Sequence, residues 1–286
     1  MSRYRLRAAG RYDATRLLAF LGAHAVPGVE TWDGTTYARS VRTPTGAVVA
    51  AMTAASEGVD VRLTGSSDAT PVVLQQLRHL LSLADDTAAA EQHLAGDPVV
   101  GRSVLARPGL RSPGSLDDGE TLVRTVVGQQ VSLVGARTVL GRVAADLGQP
   151  LPLQADGVRL LFPTMAALSA ADPLRLPMPR ARARAVVACA AAVAAARELP
   201  ARSALLALAG VGPWTADYVD LRCRRDPDVF LASDLAVRRV LERVGLDGSP
   251  KAAAARSSGW SPYRSTALIH LWTDYLEWSP IPHLPH

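Results

Sequence analysis

The chain has 286 residues, 48% of them hydrophobic and 20% charged, with a formal net charge of +5 and an isoelectric point near 9.7. That length builds two or three subdomains on a sizeable core, the composition excludes a disordered chain, and the basic excess favours a polyanionic partner without identifying one. With only two cysteines, Cys189 and Cys223, a four-thiolate iron–sulfur cluster or all-cysteine zinc site is excluded and a reducing compartment is expected.

Met1 to Asp13 is basic but lacks the apolar stretch of a secretory signal. A helical pattern covers Ala14 to Ala25. Three short β-branched stretches follow, Thr36 to Thr43, Gly46 to Thr53 and Gly58 to Gly65, separated by turn residues. Asp68 is a candidate cap for a further helix over Pro71 to Ala84. An antiparallel sheet with two helices is the simplest arrangement of these pieces.

Beyond Asp97 the β signal nearly disappears. Arg107 to Gly114, with two prolines and two glycines, reads as a linker, and helices are expected over Glu120 to Val127, Ser132 to Leu147, Thr164 to Ala171, Ala181 to Arg197, Ser203 to Ala209, Pro213 to Cys223, Asp234 to Val244 and Tyr263 to Trp278. The longest apolar run, Ala185 to Ala196, is too short to span a bilayer, so a cytoplasmic, nucleoid-associated protein with no membrane partner is expected. Ser279 to His286, with three prolines, reads as a loose tail.

The most informative segment is Leu205-Leu206-Ala207-Leu208-Ala209-Gly210-Val211-Gly212-Pro213-Trp214-Thr215-Ala216. A short apolar helix runs into Gly-Val-Gly, and a second helix starts on a proline, where the missing N–H costs nothing. Glycines here let the backbone turn tightly and approach a ligand. The amides of Gly210 to Thr215 then form an anion site suited to one phosphate, although a plain tight turn between packed helices explains the same residues. Further on, Asp234 precedes the amphipathic run Leu235-Ala236-Val237-Arg238-Arg239-Val240-Leu241. An N-cap aspartate accounts for it locally; an ionised carboxylate also suits a helix start, so capping and a functional role are compatible.

The hairpin, an aspartate about two dozen residues later and a Val-Arg helix together resemble the helix–hairpin–helix DNA glycosylase superfamily. Leu17 to Val26, Val29 to Thr31, Tyr37 to Ser40, Ala106 to Arg111, Gly128 to Ser132, Trp260 to Ser265 and His270 to Trp272 extend the resemblance over nearly the whole chain to bacterial DNA-3-methyladenine glycosylase II. The implied fold is mainly α with an N-terminal α+β domain: residues 1–93 form the α+β domain, 118–226 a helical domain carrying the hairpin, and 94–117 with 227–286 a second helical subdomain, the active-site cleft lying between the two. The implied activity is monofunctional excision of alkylated purines from double-stranded DNA by a monomer.

The resemblance also assigns roles. Asp234 is the catalytic carboxylate. Trp214, Tyr218 and Trp272, with Phe20 from the first domain, line the base pocket, whereas Phe230 and Trp278 are expected in the core. Eight of the fourteen aromatics lie between Trp214 and Trp278, and electron-rich walls suit a cationic, alkylated base. Gln130 is the wedge that fills the gap left by a flipped base; the family's best-known members carry leucine there, and a solvent-facing loop glutamine is the alternative reading. Gly210, Val211, Gly212 and Thr215 contact DNA, and the carbonyls of Leu206, Leu208 and Val211 hold a sodium or potassium ion. No other cofactor is required. Arg180, Arg182 and Arg184, with Arg222, Arg224 and Arg225, are candidates for holding the DNA backbone. Lys251 is the only lysine, so 30 of the 31 basic residues are arginine. Relatives that also cut the strand carry a lysine two residues past the second hairpin glycine, where this chain has Trp214. A bifunctional glycosylase–lyase, a non-catalytic DNA-binding module and a sensor of alkylated DNA are the competing readings.

Overall fold

The computed structural model describes residues 1–65 and 67–278; the expectation for the tail beyond 278 lies outside them. The N-terminal region is a five-stranded antiparallel sheet of β1 (Ser2–Arg7), β2 (Glu30–Trp32), β3 (Thr36–Thr43), β4 (Gly46–Ala55) and β5 (Gly58–Gly65), ordered β1-β5-β4-β3-β2. Helices α1 (Ala14–Ala23) and α2 (Thr70–Leu80) close one face. Leu17, Leu18 and Leu21 of α1 share a core with Tyr37, Met52, Val61 and Leu77. The two strands that pattern reading misses are a basic edge strand, β1, and a three-residue strand, β2. The cap also differs from expectation: α2 starts one residue before Pro71, on Ala69, with no side-chain cap bond.

The opposite face of this sheet is covered by a hairpin of β6 (Gln149–Ala155) and β7 (Val158–Leu161), where Leu151, Val158 and Leu161 pack on Ala38, Val49 and Ala51. This corrects the expectation that strands end early in the chain. Prolines at 150 and 152 disguise β6, but Asp156-Gly157, both at positive φ, is the turn that marks a two-residue hairpin.

Two helical cores follow. The first is built from α5 (Asp118–Gly128), α6 (Leu133–Leu147), α7 (Met165–Ser169), α8 (Arg180–Ala196), α9 (Arg202–Leu206) and α10 (Pro213–Val219), reached after α3 (Ala88–Leu94) and α4 (Gly101–Ala106). The second joins Leu94, Val100 and Val104, from α3, α4 and their connection, to α11 (Leu235–Arg243), α12 (Pro250–Ser257) and α13 (Arg264–Trp278). Neither α3 nor α4 stands out in the sequence, being seven and six residues long. Alanine-rich 252–255, with Lys251, lies in α12. Trp278 corrects another expectation. It is 37% exposed beneath the Arg243 guanidinium, and the fully buried tryptophan is Trp260, with half-buried Phe230 edge-on to it at 5.4 Å. Among the described residues no helix is long and apolar enough to cross a membrane.

Candidate active site

The N-terminal region, α5, α10 and the α11–α13 unit meet around a cavity of about 400 Å³. On its wall Asp234 is the N-cap of α11: Oδ1 accepts from Ala236 N at 2.9 Å and Val237 N at 3.3 Å. Two indoles complete its shell. Trp272 Nε1 donates to Oδ1 at 3.1 Å, and Trp214 Nε1 donates to Oδ2 at 3.2 Å. Capping therefore occupies mainly Oδ1. Oδ2 carries only the Trp214 bond among the described residues, on the wall of the cavity.

The aromatic wall is continuous. Trp214 and Tyr218 lie four residues apart on α10, stacked at 5.4 Å with 19° between planes. Tyr218 faces Trp272 of α13 at 6.0 Å. Both indole N–H edges are committed to Asp234, so carboxylate and aromatic walls position one another. Phe20 reaches the same cavity from α1, stacked on His24 at 4.2 Å. The structure thus brings Asp234, Trp214, Tyr218, Trp272 and Phe20 to one site from four helices.

The hairpin between α9 and α10 closes through Val211 N donating to Leu208 O at 3.1 Å. Gly210 sits at φ +87°, and a Cβ there would approach Ala185 Cβ to 2.7 Å; both conformation and space require glycine. Gly210 is exposed, Gly212 half-buried and Val211 buried. Thr215 is expected to act through its backbone amide, and its side chain is occupied elsewhere. Its side chain is buried, and its hydroxyl accepts from Gln129 Nε2 at 2.7 Å, so only its backbone amide remains for a DNA phosphate. Gln129 also donates to Gly210 O at 3.0 Å and accepts from Arg182 at 2.6 Å through its own carbonyl. This residue, passed over in favour of its neighbour, ties the α5–α6 turn to the hairpin. Gln130 stands exposed at the tip of that turn with φ +54°.

The arginines divide. Arg180 and Arg184 are exposed on α8. Of the other three, Arg222 is buried, Arg225 is half-buried and Arg224 is exposed. Arg224 pairs with Asp220 and Arg225 with Asp85. Arg222, on the π-helical turn Asp220–Arg224, is buried at the cavity. Its guanidinium donates to Pro113 O, Gly114 O and Tyr218 Oη at 2.6, 3.0 and 2.7 Å and lies 5.6 Å from both the Phe20 and Tyr218 ring centres. Charge and spacing along the sequence mark it as one arginine of a basic run; only the fold separates it from its neighbours.

A buried ionic network backs the cavity. Glu30 accepts from Tyr37 Oη at 2.5 Å, Arg124 at 2.9 Å, Arg39 at 3.2 Å and Val26 N at 2.7 Å. Glu120 bonds both Arg39 and Arg124. Burial alone would raise the Glu30 pKa, but Arg124, Arg39 and the hydrogen bonds override it and hold it at about 2.

The AlkA N-terminal domain family matches residues 3–117. The chain is 36% identical over 263 residues to the "Probable bifunctional transcriptional activator/DNA repair enzyme AlkA" of Mycobacterium tuberculosis, which spans 88% of this chain but 53% of that protein; the chain thus covers about half the length of that relative. It is 35% identical over 283 residues to DNA-3-methyladenine glycosylase 2 of Escherichia coli, covering 94% of this chain and 96% of the other. The chain belongs to the DNA-3-methyladenine glycosylase 2 family. Among solved structures, a 3-methyladenine DNA glycosylase from Archaeoglobus fulgidus shares the fold, with TM-score 0.80 at 21% identity, covering 98% of this chain and all of that one. An 8-oxoguanine glycosylase/lyase from Clostridium acetobutylicum in complex with double-stranded DNA has TM-score 0.64 at 17% identity, covering 85% of this chain and 89% of that one. In this member of the DNA-3-methyladenine glycosylase 2 family, Asp234 and its two indole donors stand on separate elements, α10, α11 and α13, so the site exists only when the α10 and α11–α13 units are docked.

Proposed function

We propose that this protein is a monofunctional DNA N-glycosylase that removes alkylated purines of the 3-methyladenine and 7-methylguanine type from double-stranded DNA in base excision repair, acting as a cytoplasmic monomer. The observation that carries the reading is Asp234, held at a helix start by two indole N–H donors on the wall of an aromatic cavity. The names of the full-length Escherichia coli relative and of the Mycobacterium tuberculosis relative support the same chemistry.

The base leaves its stack at a cost of a few kcal/mol and enters the cavity. Alkylation at N3 or N7 makes the purine cationic, so it departs without a strong general acid. As the glycosidic bond breaks, positive charge develops on the sugar, and the Asp234 carboxylate stabilises it or orients the attacking water. Trp214, Tyr218, Trp272 and Phe20 enclose the base. The exposed turn residue Gln130 fills the vacated stack. The amides of the Gly210–Thr215 segment hold a phosphate, as helix starts do. The hairpin carbonyls of Leu206, Leu208 and Val211 are hard oxygen donors of the kind that takes sodium or potassium; such an ion would reinforce the phosphate contact.

The absence of strand cleavage rests on one substitution. A lyase needs an amine to form a Schiff base with the sugar. The position two residues past Gly212 is Trp214, whose Nε1 is bonded to Asp234, and Lys251, the only lysine, is exposed on α12. Incubation with methylated duplex DNA is therefore expected to leave intact strands with abasic sites that break only under later alkali. Borohydride present during turnover should trap no covalent adduct; efficient trapping would place the protein among the lyases instead.

A further inference from the structure

One titratable group on the cavity wall has no part in the mechanism above. His24 closes the C-terminus of α1 and lines the same cavity as Asp234. Its Nδ1 lies 2.7 Å from Phe20 O. A carbonyl only accepts, so Nδ1 carries the proton and the neutral ring presents Nε2 as a lone-pair acceptor. Among the described residues Nε2 has no recorded hydrogen-bond partner. The ring is locked by its stack on Phe20 at 4.2 Å with 27° between planes. Burial, opposed by the Phe20 carbonyl and reinforced by Arg222 and Arg124, pushes the imidazole down to about 4, so it is neutral at physiological pH.

The surroundings make this acceptor distinctive. Arg222, between Phe20 and Tyr218, is a cation whose guanidinium is engaged by Pro113 O, Gly114 O and Tyr218 Oη. The Glu30 and Glu120 carboxylates that also line the cavity are engaged by Arg39 and Arg124. Asp234 is engaged with the two tryptophans across the cavity. An oriented acceptor beside aromatic walls, with the neighbouring charged groups already paired, is the kind of feature that fixes a ligand's orientation.

We propose that His24 is a specificity-determining residue: its Nε2 accepts a hydrogen bond from an N–H on the edge of the flipped purine, so the cavity favours lesions that keep such a donor over those in which the donor is lost. This rests on the glycosylase reading and extends it to how one site ranks its bases. A base whose ring nitrogen and amino group are both tied into an added ring leaves Nε2 without a partner, and an unpaired polar group in a closed site is what rejects such a ligand.

The test is single-turnover release of 7-methylguanine, which keeps N1–H and N2–H donors, and of 1,N6-ethenoadenine, which has none on that edge, from otherwise identical duplexes. His24→Phe preserves the stack on Phe20 and removes the acceptor. It should slow 7-methylguanine release by about tenfold, one hydrogen bond's worth, and leave ethenoadenine release unslowed or faster, because the unpaired acceptor that rejects it is gone. His24→Gln restores a side-chain acceptor and should recover most of the lost 7-methylguanine rate, which separates loss of the acceptor from loss of fold. Equal slowing of both bases by His24→Phe, or no slowing of either, overturns the role of His24 while leaving the glycosylase reading intact. Release of neither base by the unmodified protein overturns that reading, and this one with it.

Discussion

Asp234→Asn is expected to lower base excision by about 10³-fold or more, the scale on which a preorganised electrostatic group acts on a developing charge. The fold should survive. The asparagine carbonyl can still take the Ala236 and Val237 amides, so the helix start loses no more than about 1 kcal/mol. The damage falls on the other oxygen. An amide nitrogen at the Oδ2 position meets the Trp214 N–H, donor against donor, in place of the 3.2 Å bond present now. The variant should therefore bind duplex DNA with nearly unchanged affinity and fail in single-turnover release. A folded variant with near-normal turnover would remove Asp234 from the chemistry and leave it a cap.

The largest expected effect on stability lies behind the cavity. Glu30→Ala leaves Arg39 and Arg124, among the described residues, with Glu120 as their one remaining carboxylate and strips acceptors from Tyr37 Oη and Val26 N. Removing one partner of a buried ionic cluster typically costs about 3–5 kcal/mol, because the opposite charge stays buried. A chain of this size should then melt lower by on the order of 10 °C. The pH dependence has a definite sign. The folded Glu30 pKa, about 2, lies below the ordinary value of 4.5, so its contribution is complete above pH 4.5 and is lost as pH falls toward 2. Glu30→Ala should accordingly flatten the acid side of the stability profile. A melting temperature within a degree or two of the unmodified protein would show that the network is dispensable.

How much of this the sequence carried follows from the range over which each signal acts. The hairpin was legible because Gly210, Gly212 and Pro213 are local requirements of one turn and one helix start. Asp234 was legible as a cap for the same reason, and the family resemblance supplied its second role. The strands β3, β4 and β5 announced themselves through β-branched runs between turn residues, whereas β6 hid behind its prolines and β1 behind its arginines. The side chains that escape notice, or whose surroundings do, are those whose partners come from far along the chain. Gln129 meets Thr215 across 86 positions, Arg222 meets Pro113 across 109, and Glu30 meets Arg124 across 94. Nothing in the neighbours of Gln129 distinguishes it from Gln130; the distinction is made when the α5–α6 turn docks on the hairpin. Trp260 and Trp278 show the same limit in reverse. Both are tryptophans near helix ends, and only packing decides that the first is sealed and the second lies open under Arg243.

The central claim, that the cavity around Asp234 releases alkylated purines, is tested most directly by chromatography of the free bases liberated from methylated duplex DNA. The account predicts that 3-methyladenine and 7-methylguanine appear in solution with the unmodified protein and not with Asp234→Asn, while the DNA strands stay unbroken. Methylated DNA that is bound but yields no free base would contradict it and make this chain a binding module built on a glycosylase fold.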